Sequence, residues 1–332
     1  MKKICFLFLI CAFAACKSSK KTPNVDGIDV NVQVARFDKD IFSIRDVAVL
    51  HEKYDGFFDN FCDFVLGIGR PDIADFQDNF TRFRNDSIVR LAQSKASEVL
   101  NSYEQILNKE LTQAFKFYKY YFPQKQVPQI YIYTSGFNPS LILDRNIIGI
   151  GMDKFLGSDE EIYKNLGFSK YLVQNMRKEL IVCEVAGALA TDEFPFENTH
   201  YTLIEKMIYE GKILYFKQQL CPFMSENDLL GFNADNMKFC KNNERQMWLY
   251  LIENKLLYSD SYTVITKFTE DAPFTYDFSQ ESPGKAANWL GFRIVEQYVN
   301  NTGTSLDKLM NETSFEKILR ESKYNPKDRQ AN

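Results

Sequence analysis

Leu180-Ile181-Val182-Cys183-Glu184-Val185-Ala186-Gly187-Ala188-Leu189-Ala190 is apolar all round a helical wheel except at Glu184. A helix with no polar face belongs inside a protein. The segment therefore predicts a central helix over 178–190 and puts the Glu184 carboxylate in the core. Ionised and unpaired there, it would be costly, so it must find a cation, hydrogen bonds or a proton. The competing reading sets Glu184 at a helix edge, in reach of water.

Downstream the apolar spacing stays helical almost to the end. It predicts helices over 200–219, 234–256, 261–269, 285–300 and 304–321, broken at Pro195, Pro222, Pro273 and Ser282-Pro283-Gly284. Upstream a helix is predicted over 159–176. Before it, Gln129–Thr134 (QIYIYT) and Asn146–Met152 (NIIGIGM) read as strands, separated by the turn-like Ser135-Gly136-Phe137-Asn138-Pro139. Ser87 to Tyr121 carries Ile88, Leu91, Val99, Tyr103, Ile106, Leu107, Leu111 and Phe115 at helical spacing; Asp86 or Ser87 caps the start and Pro123 stops it. Residues 50–84 read as short helices around a loop at Gly67-Ile68-Gly69-Arg70-Pro71, and Ile28 to Val34 alternates strictly, the mark of a half-buried strand. The fold class is α+β: a mostly helical body with a small sheet, in one domain over 28–326.

The first residues belong to another category. Lys2 and Lys3 precede an apolar run, Ile4 to Phe13, that is long enough for a secretory h-region and too short for a bilayer span. It closes on Phe13-Ala14-Ala15-Cys16, which resembles a bacterial lipobox. On this reading 1–15 is a signal peptide, Cys16 is acylated, and 16–27 (with KSSKKTPNVD) is a flexible tether. The plainer reading is an ordinary signal cut near Ala15, leaving Cys16 as a free thiol.

The 332 residues are 45% hydrophobic, which rules out global disorder, and a net charge of −4 gives no electrostatic case for nucleic acid. Cys62, Cys183, Cys221 and Cys240 show no Cys-x-x-Cys spacing and read as buried thiols; Cys221 with Cys240 is the pair to test for a disulfide. His51 and His200 are the only histidines, and both read as surface or capping residues, so no His-rich metal site or Ser-His-Asp triad is built from them.

A glutamate on a buried helix beside a small sheet resembles zinc peptidases, in which His-Glu-x-x-His sets two histidines one turn apart on one helix face. The corresponding residues here are Cys183-Glu184-Val185-Ala186-Gly187, so the glutamate stands and both histidine positions are lost. Tyr209-Glu210-Gly211-Lys212 resembles the downstream helix that brings a glutamate ligand. Cys183, Glu184, Gly187 and Glu210 then read as a vestigial site on a degenerate zincin-like scaffold. No catalytic residue, metal or cofactor is expected, because a catalytic zinc needs three protein ligands.

Longer stretches resemble the gliding-motility lipoprotein GldB family of Bacteroidota. They are Val34–Phe42 (VARFDKDIF), Tyr120–Pro123, Met207–Tyr215 (MIYEGKILY), Asn243–Trp248, Glu253–Ser259, Asp271-Ala272-Pro273-Phe274, Glu281–Val295 (ESPGKAANWLGFRIV) and Ser322–Lys327. The resemblance implies an envelope lipoprotein of the gliding and type IX secretion machinery; Lys17-Ser18-Ser19-Lys20-Lys21, with Lys17 rather than aspartate after Cys16 and no acidic cluster, points to the outer membrane, facing the periplasm. The resemblance also implies a membrane attachment through lipid, envelope proteins as partners, and no known catalysis. Two classes of function follow: a non-catalytic component acting by protein contacts, or an envelope hydrolase using carboxylates such as Glu184 and Glu210.

Overall fold

The computed structural model describes residues 22–197 and 199–327. Fifteen α-helices lie within them. At the N-terminal end are α1 (Phe37–Ser43), α2 (Val47–Lys53), α3 (Phe57–Asn60), which continues into a π-helical turn (Phe61–Val65), and α4 (Phe76–Asn85). The long α5 (Ser87–Tyr121) begins where Asp86 accepts hydrogen bonds from Ile88 N and Val89 N. A sheet of β1 (Gln129–Tyr133), β2 (Leu141–Asp144) and β3 (Ile147–Gly151) follows, ordered β1-β3-β2 with β3 parallel to β1 and antiparallel to β2. The rest is helical: α6 (Glu161–Asn165), α7 (Lys170–Val173), α8 (Ile181–Glu193), α9 (Leu203–Leu220), α10 (Glu226–Leu230), α11 (Ala234–Glu253), α12 (Tyr262–Thr269), α13 (Ala286–Thr302), α14 (Leu306–Met310) and α15 (Phe315–Ser322). The fold is α+β, mostly helical with a small three-stranded sheet, as expected from the sequence.

Two hydrophobic clusters hold these elements. The larger packs α5, α8, α9 and α13 with the sheet. The smaller is rich in aromatic rings: Phe37 meets Tyr54, Phe57 and Phe61 edge-on at 4.9, 5.0 and 5.0 Å between ring centroids, a favoured geometry for their quadrupoles.

At the centre, α9 and α13 cross backbone against backbone. A Cβ on Gly211 would stand 2.3 Å from Gly291 O, and one on Gly291 would stand 1.8 Å from Met207 O. Next along α9, Lys212 is buried and donates from Nζ to Met310 O and Glu312 O, both at 2.9 Å. That bond ties the end of α14 to the crossing.

Several expectations change. Ile28–Val34 forms no ladder, although Val32 and Val34 are buried. The segment lies along α5, where Val32 N donates to Thr112 Oγ1 at 2.9 Å and Val34 N to Asn108 Oδ1 at 3.0 Å. It touches the sheet only by a parallel bridge from Ala35 to Tyr131. Alternation marks one buried side, and helix side chains here supply the acceptors that a strand would. The helix expected over 159–176 is α6 and α7, parted at Gly167 with φ +77°; that over 304–321 is α14 and α15, each capped by its own serine, Ser305 and Ser314. Strand β2 was not expected. Ile88, Leu91 and Ile106 are exposed, the buried stripe of α5 running through Val89, Ala92, Ala96, Leu100 and Leu107 instead. Cys221 and Cys240 are free buried thiols, so the candidate disulfide is absent. Cys16 and residues 1–21 lie outside the described residues.

Gly291→Ala is expected to destabilise the protein by about 3 kcal/mol or more, since backbone rather than a flexible side chain must yield, whereas Gly27→Ala, which meets nothing within 4 Å, should cost under about 0.5 kcal/mol. Urea denaturation of both variants tests this. Burial lowers the Lys212 pKa from 10.5 to about 8, with Glu312 opposing. The unfolded chain therefore binds the extra proton between those values, and stability rises with pH across that window. Wild type should gain up to about 3 kcal/mol from this group between pH 8 and 10.5, at about 1.4 kcal/mol per pKa unit, while Lys212→Met should show no such slope.

Candidate functional site

Helices α8 and α9 pack antiparallel: Lys217 Nζ meets Glu184 Oε1 at 3.2 Å at one end, and Tyr209 OH donates to Phe194 O at 3.1 Å at the other. Their shared face floors a cleft of about 650 Å³. Glu184, Gly187 and Thr191 face it from α8, and Glu210, Leu214 and Lys217 from α9. One wall comes from the sheet side, Pro139–Leu141 with Lys154 and Phe155. Asp153 positions that wall: its Oδ2 accepts from Ser135 N at 3.0 Å and Phe137 N at 2.7 Å, which closes the turn leading to Pro139.

The opposite rim brings Asp271, Lys285 and Asn288. Two loops deliver them locked together. Thr275 Oγ1 donates to Pro283 O at 2.9 Å, Ser282 Oγ to Thr275 O at 3.0 Å, and a Cβ on Gly284 would stand 2.1 Å from Ala272 O. Lys285 sits in the left-handed region, φ +48°, and pairs with Asp271 at 2.7 Å.

Glu184 is not enclosed in the core. Walls rise around it on several sides, yet 47% of its side chain faces the cleft. The helix is apolar all round because its other faces are covered, and Glu184 marks the strip that is open. Its cation is Lys217, whose stem runs past Gly187: a Cβ there would lie 3.2 Å from Lys217 Cδ. The Lys217 ammonium, opposed by burial and aided by Lys285, holds the Glu184 carboxyl below the usual carboxylate range. Burial works against the Lys217 charge, but the Cys183 sulfur and the Glu184 carboxylate outweigh it, and its pKa stands above the ordinary lysine value.

The other expected residues divide. Cys183 is buried and its thiol points to Asp228 O at 3.9 Å; burial, countered by Lys217, pushes the thiol up to about 11. Glu210 lines the same cleft but is held by Lys206 at 2.7 Å, one turn back along its helix. It stands seven residues from Lys217, about 10 Å along the axis, so it does not converge on Glu184. His51 pairs with Asp59 at 3.1 Å and His200 is exposed, away from the cleft. Among the described residues no group of three or more His, Cys, Asp or Glu side chains could hold a metal ion. Zinc does not fit this donor set, because an ammonium already fills the space beside Glu184 and Gly187.

Lys217, Asp271, Lys285, Asn288 and Lys154 were not singled out from the sequence. The available signals were a lysine ending the apolar run Ile213-Leu214-Tyr215-Phe216, and the charged residues inside the Asp-Ala-Pro-Phe and Ser-Pro-Gly-Lys stretches.

A family model described as gliding motility protein GldB matches residues 18–326. No curated protein and no solved structure matches the chain.

Gly187→His would put an imidazole in the path of the Lys217 stem, and should cost about 2–3 kcal/mol by overpacking. In a Lys217→Ala background the same change should cost at least about 1 kcal/mol less. Strictly additive urea-denaturation costs would show that Lys217 does not fill that space.

Proposed function

The chain belongs to the gliding motility protein GldB family, and on that footing we propose that it is a non-catalytic outer-membrane lipoprotein of the gliding and type IX secretion machinery. Residues 28–326 form a single body, acyl chains on Cys16 hold it to the membrane facing the periplasm, and its cleft docks a segment of an envelope protein. No helix among the described residues is long and apolar enough to cross a membrane.

The observation that carries the non-catalytic reading is Lys217. A peptidase-type cleft uses a metal cation next to its glutamate to activate water; here a lysine ammonium stands next to Glu184 and keeps it ionised and occupied. A hydrolase working through Glu184 and Glu210 would need one carboxyl held protonated as the acid and the other free as the base. Both are instead tied to lysines. The scaffold reads as a peptidase-like cleft reused as a receptor, a pseudoenzyme.

Cys16→Ala is expected to move the protein from the membrane to the soluble fraction, and a photo-crosslinking residue at Leu214, on the cleft wall, to capture motility or secretion components in native envelopes. An unmodified Cys16 by mass spectrometry sinks the anchoring half. Stoichiometric zinc in freshly isolated protein, or hydrolysis lost on Glu184→Gln with the fold intact, sinks the non-catalytic half.

A further inference from the structure

Two groups in the cleft stand apart from the rest, a buried acceptor without a donor and a half-buried cation outside the ion pairs that the cleft's other lysines make. Asn288 donates from Nδ2 to Thr269 O at 3.1 Å, which sets the amide's orientation and leaves Oδ1 pointing elsewhere. That oxygen is buried without a donor, on a residue only 6% exposed that lines the cleft. Buried acceptors are rarely left so in native proteins. Lys154, on the sheet-side wall, is the second. Its ammonium lies 4.4 Å from the Phe168 ring centroid, and among the described residues it joins no ion pair, whereas Lys217 and Lys285 are both matched by carboxylates. Asp153 beside it is turned into the Ser135–Phe137 turn.

The space between these groups is largely apolar, walled by Phe155, Leu172, Ile213 and Leu214, and its 650 Å³ falls within the range of ligand sites. The rim at Ser140 and Leu141 opens onto β2, an outer strand that pairs only with β3 and, among the described residues, has no strand on its other side. A free strand edge accepts an extended chain through backbone hydrogen bonds.

We propose that the cleft receives an extended segment of a partner protein carrying an acidic side chain, whose carboxylate pairs with Lys154 while a backbone N–H of the same segment fills Asn288 Oδ1. The proposal rests on the docking reading above and adds the chemistry of the docked segment. Lys154 supplies the sign preference, because the other two cations of the cleft are already neutralised. Asn288 supplies affinity without a charge preference.

The test measures fluorescence anisotropy of full-length protein, solubilised in detergent, with two labelled peptide pools. They are acetyl-X-X-Glu-X-X-amide and acetyl-X-X-Lys-X-X-amide, with X drawn from Leu, Val, Phe and Tyr. Wild type is expected to bind the Glu pool about tenfold more tightly than the Lys pool. Lys154→Met should cut that preference below about threefold and Lys154→Arg should keep it, while Asn288→Leu should weaken both pools alike. Equal binding of the two pools, or a preference untouched by Lys154→Met, overturns the acidic inference and leaves the docking reading standing. Binding of neither pool overturns both. Thermal unfolding of each variant, expected to match wild type for the Lys154 pair, separates lost binding from lost fold.

Discussion

The floor of the cleft and the helix that carries Asn288 are set against each other by the contact between the α9 and α13 backbones at Gly211 and Gly291. Where two helices meet with no side chain between them, their rotation and translation are fixed by main-chain atoms rather than by adjustable rotamers. Glu210 is the residue before that contact and Lys217 lies less than two turns beyond it on α9. On α13, Asn288 and Lys285 precede it by about one and two turns. A change at the crossing would therefore shift the cleft floor against the rim that carries Asn288 and Lys285, and would also displace the Lys212 tie to α14.

The cleft's electrostatics follow a pattern of internal neutralisation. Lys217 with Glu184, Lys285 with Asp271 and Lys206 with Glu210 each pair a lysine with an acid across or along a helix. Ion pairs that open onto water contribute little to stability, and all three involve an acid with at least a quarter of its side chain exposed. At Glu184 the effect is on reactivity. Held ionised by the Lys217 ammonium, that carboxylate neither donates a proton nor accepts one readily near neutral pH. Gly187 belongs to the same arrangement, since a Cβ there would lie 3.2 Å from Lys217 Cδ and press on the lysine stem where it passes along α8.

The sequence was most legible where one element sees one environment. The helix α5 ends at the residues expected, because Asp86 caps it and Pro123 lies just past it. β1 and β3 were visible as runs of β-branched and aromatic residues, and α9 and α13 as unbroken apolar spacing. β2, with Leu141-Ile142-Leu143-Asp144, has no alternation and only partial burial, so nothing in its pattern distinguishes it from a loop. Ile28–Val34 misled for the opposite reason: its alternation is real, but its backbone partners are the Thr112 and Asn108 side chains. At the site, Glu184 was legible from its isolation in an apolar helix and Glu210 from the resemblance of Tyr209–Lys212 to a peptidase helix. Lys217 was not, because spacing along one helix carries no sign of a cation that arrives from its antiparallel neighbour. Lys285 and Asp271 meet only because two loops interlock, which no local pattern encodes.

The way the chain enters the body bears on how it carries load. Between Val32 and Ala35 the chain is clipped in turn to Thr112, to Asn108 and to β1, through bonds of 2.9, 3.0 and 2.8 Å, with Ile132 N returning a bond to Ala35 O at 2.9 Å. A pull directed along this segment from its N-terminal side strains all four in shear at once rather than unzipping them singly. Tension would thus reach the longest helix and the sheet edge first, and the cleft, walled by other helices, would sit behind that mechanical buffer.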